Sequence, residues 1–262
     1  MSTPGPQSTT ATLSIKVPLV TLYFWIIKIM ATTVGETAAD FLNFDMKLGL
    51  VKTSWLMAVL LVIALIIQIA ARRYVPWKYW LAVVFLSIFG TLVTDNLSDN
   101  YGVSLIVTTI GFSAALVATF LAWHASEHTL SIHSITTRRR ELFYWSAILF
   151  TFALGTAAGD LVAEKLALGY AVSALIFGGA IALVTLAYYR FGLDSVWAFW
   201  IAYVLTRPFG ASFGDYVSQP ITNGGLGFGT MTTSAVFLVV IVALVAVLTV
   251  QRAKPRAAAL TP

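Results

Sequence analysis

Eight stretches of about twenty mostly apolar residues follow one another along this chain, at roughly 17–39, 51–71, 77–95, 102–123, 142–162, 167–189, 195–215 and 230–250. A helix needs about 20 such residues to cross the hydrocarbon of a bilayer. Lipid offers no water to unpaired backbone groups, so a crossing segment of this kind must satisfy its hydrogen bonds internally, as a helix does. The stretches use nearly all of the 262 residues and leave no room for a separate soluble domain. Only 10% of the residues are charged, against about 25% in soluble domains. The expected fold is an all-α polytopic membrane protein with eight transmembrane helices spanning 17–250, a polar tail at 1–16 and a basic tail at 251–262.

Charge gives the orientation. Lys16, Arg72, Arg73, Lys78, Arg138, Arg139, Arg140, Arg190, Arg252, Lys254 and Arg256 lie before the first stretch or after an even-numbered one. Only Lys47, Lys52 and Lys165 lie in loops on the other side. Basic loops stay in the cytoplasm, so both termini are expected there. These loops also account for the formal charge of +5 without a nucleic acid partner. The first fifteen residues carry no basic n-region, so the first stretch is expected to be retained rather than cleaved. The absence of cysteine excludes disulfides and thiolate metal sites.

Carboxylates recur at one end of alternate stretches. The segments TTVGETAAD (32–40), TLVTDNLSD (91–99), TAAGDLVAE (156–164) and ASFGDYVSQ (211–219) align with acids at Glu36, Asp95, Asp160 and Asp215. Second acids follow four residues later at Asp40, Asp99 and Glu164, and Gln219 takes that place in the last copy. Seven of the chain's eleven acids are used in this pattern. Residues four apart share a helix face, and ionisable groups at membrane depth are costly and usually functional.

The pattern divides the chain into four two-helix repeats, about 17–71, 77–123, 142–189 and 195–250. Each repeat has two spans, so all four enter the membrane in the same direction, around a pseudo-symmetry axis along the membrane normal. Trp80, Trp145 and Trp200 each precede the acid of their copy by fifteen residues; in the first copy Trp25 stands four residues later than that slot. Small-xxx-small steps at Ala31/Gly35, Gly90/Thr94, Gly155/Gly159 and Gly210/Gly214 let helices approach closely. The odd-numbered helices are therefore expected to form an inner ring.

On KIMATTVGETAAD (28–40), GTLVTDNLSD (90–99), LGTAAGDLVAE (154–164), LTRPFGASFGD (205–215) and these tryptophans, the chain resembles a family of bacterial integral-membrane proteins. Its members are built from four tandem copies of a two-span repeat of unknown function and are described as uncharacterised membrane-anchored proteins. The resemblance covers roughly 17–250 and implies the eight-span architecture and a place in a bacterial inner membrane. It implies no established activity.

Function must come from the residues. Hard oxygen ligands without cysteine or a membrane histidine suit Mn²⁺, Mg²⁺ or Ca²⁺. The metal site expected is Glu36, Asp40, Asp95, Asp99, Asp160, Glu164 and Asp215, with Thr32, Thr91, Thr156, Asn96 and Gln219 as auxiliary ligands. Lys28 and Arg207, each eight residues before a first acid, are expected below it as counter-charges or a gate, each contacting a carboxylate directly or through water in the metal-free state. The leading expectation is a transporter of a divalent metal cation. Proton or monovalent-cation translocation and a membrane enzyme with carboxylate-held metal remain open alternatives. His124, His128 and His133 form a possible inner metal site, since the first two are four residues apart. The glycine-rich run at 223–229 lacks the Lys-Ser/Thr ending of a phosphate loop, which excludes nucleotide binding, and it reads as a flexible outer loop or lid. Pro208 is expected to kink its helix.

Overall fold

Helix starts are set by local chemistry. The Thr21 hydroxyl accepts from the Phe24 N–H, Ser104 from Val107, Thr137 from Arg140, and the Asp194 carboxylate from Val196 and Trp197. Such caps satisfy N–H groups that a helix leaves unpaired at its start. In this computed structural model, which describes residues 15–258 and side chains through Arg252, eight α-helices follow among the described residues. They are α1 (Leu22–Asp40), α2 (Leu50–Ala70), α3 (Pro76–Asp95), α4 (Leu105–Glu127), α5 (Arg138–Asp160), α6 (Tyr170–Phe191), α7 (Ser195–Ser218) and α8 (Thr230–Ala258). Six of them, α2 to α6 and α8, are long and apolar enough to cross a membrane. The other two, α1 and α7, reach 19 and 24 residues but carry Lys28, Glu36, Asp40, Arg207 and Asp215.

The odd helices close a ring: α1 packs on α3 and α7, and α5 packs on the same two. Each even helix lies against the odd helix of the following repeat. Thus α2 packs on α3, α4 on α5 and α6 on α7, and α8 returns to α1. The repeats therefore interlock, and none buries its own face alone. Burial follows the ring. Twelve residues of α5 are buried, but only Thr108, Leu116 and Trp123 in α4 and Ser173 and Ala174 in α6. Even helices turn Ile110, Leu121, Leu175 and Leu183 outward, as lipid contact requires.

Four glycines fix the register of the ring. A Cβ on Gly35 would strike Ser87 of α3, and one on Gly90 would strike Phe152 of α5. One on Gly155 would strike Arg207 and Pro208 of α7, and one on Gly210 would strike Thr32 of α1. These are one contact repeated four times. Each glycine stands five residues before Asp40, Asp95, Asp160 or Asp215, and the residue it meets stands eight before the aspartate of the next copy. The sequence alignment of the first repeat is thereby corrected by four residues. Asp40, not Glu36, is the counterpart of the other three aspartates, and Glu36 matches Thr91, Thr156 and Ala211. Two acids four apart look alike after a shift of one helical turn, which is why the sequence misplaced them. Trp25 now aligns with Trp80, Trp145 and Trp200, and Gly35/Ala39 replaces Ala31/Gly35 as the small step. Lys28 and Arg207 no longer share a slot: Lys28 aligns with Tyr203, one turn further from the aspartates.

Beyond the aspartates, three copies widen into a five-residue π turn, at Phe41–Asp45, Asn96–Asn100 and Leu161–Lys165. The fourth copy differs. There Leu226, Gly227, Phe228 and Gly229 donate backbone bonds to the carbonyls of Tyr216, Gln219, Val217 and Ser218. The glycine-rich run expected as a free lid is thus bound to the end of α7, pairing carbonyls that the helix leaves open. Gly224, Gly227 and Gly229 have φ of 82°, 77° and 80°, which glycine adopts at little cost. Helix α7 continues through Pro208.

At the opposite end, Lys16 is no part of a free tail. It is 8% exposed. Its Nζ donates to the Glu141 carboxylate at 2.7 Å and to the Ile69 carbonyl at 3.0 Å. This pair ties the chain before α1 to the end of α2 and the start of α5. Residues 1–14 and 259–262 lie outside the described residues, and the backbone of 251–258, expected as a tail, continues α8.

Candidate cation site

Equivalent positions on the odd helices meet across the ring, so their four C-terminal aspartates converge. They open into a cavity of about 510 Å³. Glu36, Asp40, Asp95, Asp99, Asp160, Glu164 and Asp215 all line it, as the sequence predicts, and Gln219 does too. The sequence missed Asp45, Tyr170, Ser218 and Thr230, which also line it. Asp45 carried a usable signal, being one more acid just after Asp40. Eight of the eleven acids therefore face one space.

Depth sorts these acids. Asp45, Asp99 and Glu164 are exposed at the rim, and Asp40, Asp95 and Asp160 are half-buried. Glu36 and Asp215 are buried, at 5% and 6% exposure. Carboxylate oxygens of Glu36, Asp160 and Asp215 all lie within 4.8 Å of one another. Two charges at that distance repel by roughly 3 kcal/mol at an effective dielectric near 20. The rim acids have partners. Tyr170 donates to Glu164 at 3.3 Å, Ser98 to Asp99 at 2.8 Å, and Thr230 to Asp45. Gln219 donates to Asp40 at 3.1 Å. The Ser218 hydroxyl is buried and has no partner.

The floor of the cavity is a collar around Arg207, which is fully buried. Its Nη2 donates to Glu36 Oε2 at 3.0 Å, to Thr156 Oγ1 at 2.7 Å and to Thr91 Oγ1, while Nη1 donates to the Thr32 carbonyl at 2.9 Å. One guanidinium on α7 thus holds α1, α3 and α5. Ala211 has no polar side chain to add at this level, and Arg207 comes from one turn away to take its place. Thr32, Thr91 and Thr156, expected as auxiliary ligands, belong to this collar and do not line the cavity. Asn96 is turned aside too, donating to Ser54 Oγ at 2.7 Å and to the Leu92 carbonyl at 2.7 Å.

Lys28 makes no direct contact with a carboxylate among the described residues. Its Nζ lies 4.5 Å from the Phe152 ring centroid and 4.2 Å from that of Tyr203, and donates to Thr206 Oγ1 at 3.3 Å. The shift of register explains this, because it places Lys28 a turn deeper than the alignment implied. Below it the ring is filled with aromatic side chains. Phe24 and Trp80 have centroids 5.6 Å apart, Tyr79 and Trp145 5.5 Å, and Trp200 and Tyr203 5.7 Å. The cavity is therefore open at one end and closed at the other.

His124, His128 and His133 are exposed. Helix α4 ends at Glu127, and His128 takes a left-handed conformation with φ of 53°, so the i, i+4 pair does not lie on one continuous helix. Glu127 in this loop pairs instead with Arg140 at 2.7 Å.

A family profile described as a Repeat of Unknown Function (DUF347) matches residues 23–74, 78–129, 143–193 and 198–254. The chain belongs to the DUF347 repeat family. No curated protein and no solved structure matches it. The four DUF347 matches carry the same register as the glycine contacts: Asp40, Asp95, Asp160 and Asp215 each stand seventeen residues after the first matched residue. The family boundaries and the packing thus agree on the aspartate ring.

Proposed function

We propose that this DUF347 protein is an eight-span membrane transporter for a hard divalent cation, Mn²⁺, Mg²⁺ or Ca²⁺. In this reading the four repeats enter the membrane in parallel around one axis. Both termini lie in the cytoplasm and the acidic cavity opens on the outer face of a bacterial inner membrane, as the basic loops favour. The convergence of Glu36, Asp160 and Asp215 oxygens carries the proposal. Oxygen-only donors favour hard cations over Zn²⁺ or Cu⁺. A cation there relieves the repulsion among the acids, and the unpartnered Ser218 hydroxyl offers a neutral oxygen beside them. The rim acids raise the local cation concentration.

Arg207 supplies the internal counter-charge. Glu36 belongs both to the ligand triad and to the Arg207 collar, so a cation bound at the triad competes with Arg207 for this carboxylate. Loosening of the collar on binding couples occupancy to the packing of all four odd helices. Lys28, without a carboxylate, has no part in this exchange.

Elemental analysis and Mn²⁺ titration of the purified protein test the binding step. Wild type is expected to hold Mn²⁺ stoichiometrically, and a Glu36→Gln, Asp160→Asn, Asp215→Asn triple variant to lose it. Retention of Mn²⁺ by the folded triple variant would refute the site.

A further inference from the structure

A second pocket lies at the far end of the molecule from the acids. It measures about 190 Å³ and is enclosed by the segment entering α1, the start of α3 and the end of α8. A space of about 150 Å³ is enough for a benzene-sized body. Leu19, Phe24 and Leu248 give it apolar walls, and Tyr74, Trp80 and Arg252 bring polar groups. No acid lines it.

Trp80 is 2% exposed and Tyr74 is 6% exposed. The Trp80 indole N–H and the Tyr74 hydroxyl lie within reach of each other, and among the described residues neither has a further hydrogen-bond partner. A buried polar group left unpaired costs about 1–3 kcal/mol. The indole can only donate; when the Tyr74 hydroxyl accepts from it, the Tyr74 O–H is left to give, so an occupant that completes the pair must present an oxygen. The Arg252 guanidinium lies 4.5 Å from the Tyr74 ring centroid and donates to the Tyr74 carbonyl at 3.3 Å. That is one bond from a group with five donors. Arg72 and Arg73, next to Tyr74 in the chain, are exposed and add positive charge nearby.

We propose that this pocket binds a phosphate-bearing anionic head, with Arg252 supplying the charge, Trp80 and Tyr74 the hydrogen bonds, and the apolar walls the seat for the adjoining glycerol carbons. Basic pockets between membrane helices on the cytoplasmic side recognise lipid phosphates in this way. The phosphate comes either from a lipid of the surrounding leaflet or from a soluble phosphate ester, and the two sources separate experimentally.

The full-length protein is reconstituted in phosphatidylcholine nanodiscs with and without phosphatidylglycerol, and retained lipid is measured by native mass spectrometry. In parallel, glycerol 3-phosphate is titrated into lipid-stripped protein in detergent. Preferential retention of phosphatidylglycerol, weakened about tenfold by Arg252→Gln as loss of a charge-assisted bond implies, supports a lipid site. Saturable glycerol 3-phosphate binding weakened by the same change supports the site with a soluble ligand. Arg252 is exposed, so its variant is expected to keep the wild-type unfolding temperature. Trp80→Phe and Tyr74→Phe serve as second and third probes. The proposal is overturned if neither anion binds in preference to phosphatidylcholine, or if all three variants bind as wild type does.

Discussion

The mouth of the acidic cavity and its floor lie one helical turn apart and follow opposite rules. At the mouth the repeats agree: Asp40, Asp95, Asp160 and Asp215 are one residue type in four copies. One turn deeper they diverge into Glu36, Thr91, Thr156 and Ala211, and a turn below that into Thr32, Ser87, Phe152 and Arg207. A spherical ion accepts equivalent ligands from every side, so repetition suits a mouth that binds one. A counter-charge must be single, because four guanidiniums could not share the axis. Divergence of one copy supplies it. Repetition thus supplies Asp160 and Asp215 of the proposed triad, and departure from repetition supplies Glu36 and the collar it shares with Arg207.

The largest expected effect separates the two buried cations. Arg207→Met leaves Glu36 buried beside two threonines with no cationic partner. Breaking a buried ion pair costs about 3–5 kcal/mol, read as a large fall in thermal midpoint in detergent. Lys28→Met removes a cation that has aromatic neighbours but no carboxylate, and is expected to change stability by less than about 1 kcal/mol, since the lost ring contacts are offset by relief of a buried charge. Equal losses in the two variants would erase the distinction drawn between them.

Next in size are the glycines that bring the ring together. Gly155→Ala drives a methyl into Arg207 and Pro208 and is expected to cost about 1–3 kcal/mol as overpacking. Gly179→Ala, on α6 with nothing within 4 Å, is expected to be neutral or stabilising. Matching thermal midpoints for the two variants would contradict the close approach of α5 and α7.

Much of this was legible in the sequence, and the errors have physical causes. Apolar length gave the helices, and the recurring acids gave the cavity, because a ring of equivalent helices brings their equivalent ends together. The i, i+4 acid pair hid the register, since periodicity alone does not distinguish positions one turn apart. The glycines resolved it, but their meaning lies in which neighbour each one touches. Thr32, Thr91 and Thr156 were legible as inward-facing and not as partners of Arg207, because the reach of a long side chain between turns is invisible in spacing. Ser218 gave no signal at all, as an isolated serine becomes informative only when it is buried and unpaired.

Smaller effects sharpen the gradient from floor to rim. Ser218→Ala is expected to weaken Mn²⁺ binding by about tenfold or less, the worth of one neutral contact. Asp99→Asn, exposed at the rim, is expected to weaken it by about twofold, with the loss vanishing at high salt. Titration calorimetry across ionic strengths checks both. A rim variant that matched the loss of a floor variant would remove the gradient.

The central claim is that a hard cation crosses the membrane by way of the Glu36, Asp160 and Asp215 triad. Mn²⁺ flux into sealed vesicles holding the purified protein tests it most directly. The expected result is saturable, protein-dependent flux that falls at least about tenfold in Asp215→Asn, a loss of about 1.4 kcal/mol or more, while Asp99→Asn stays within about twofold of wild type. Absence of protein-dependent flux of Mn²⁺, Mg²⁺ and Ca²⁺ alike, or undiminished flux in the triad variants, would contradict it.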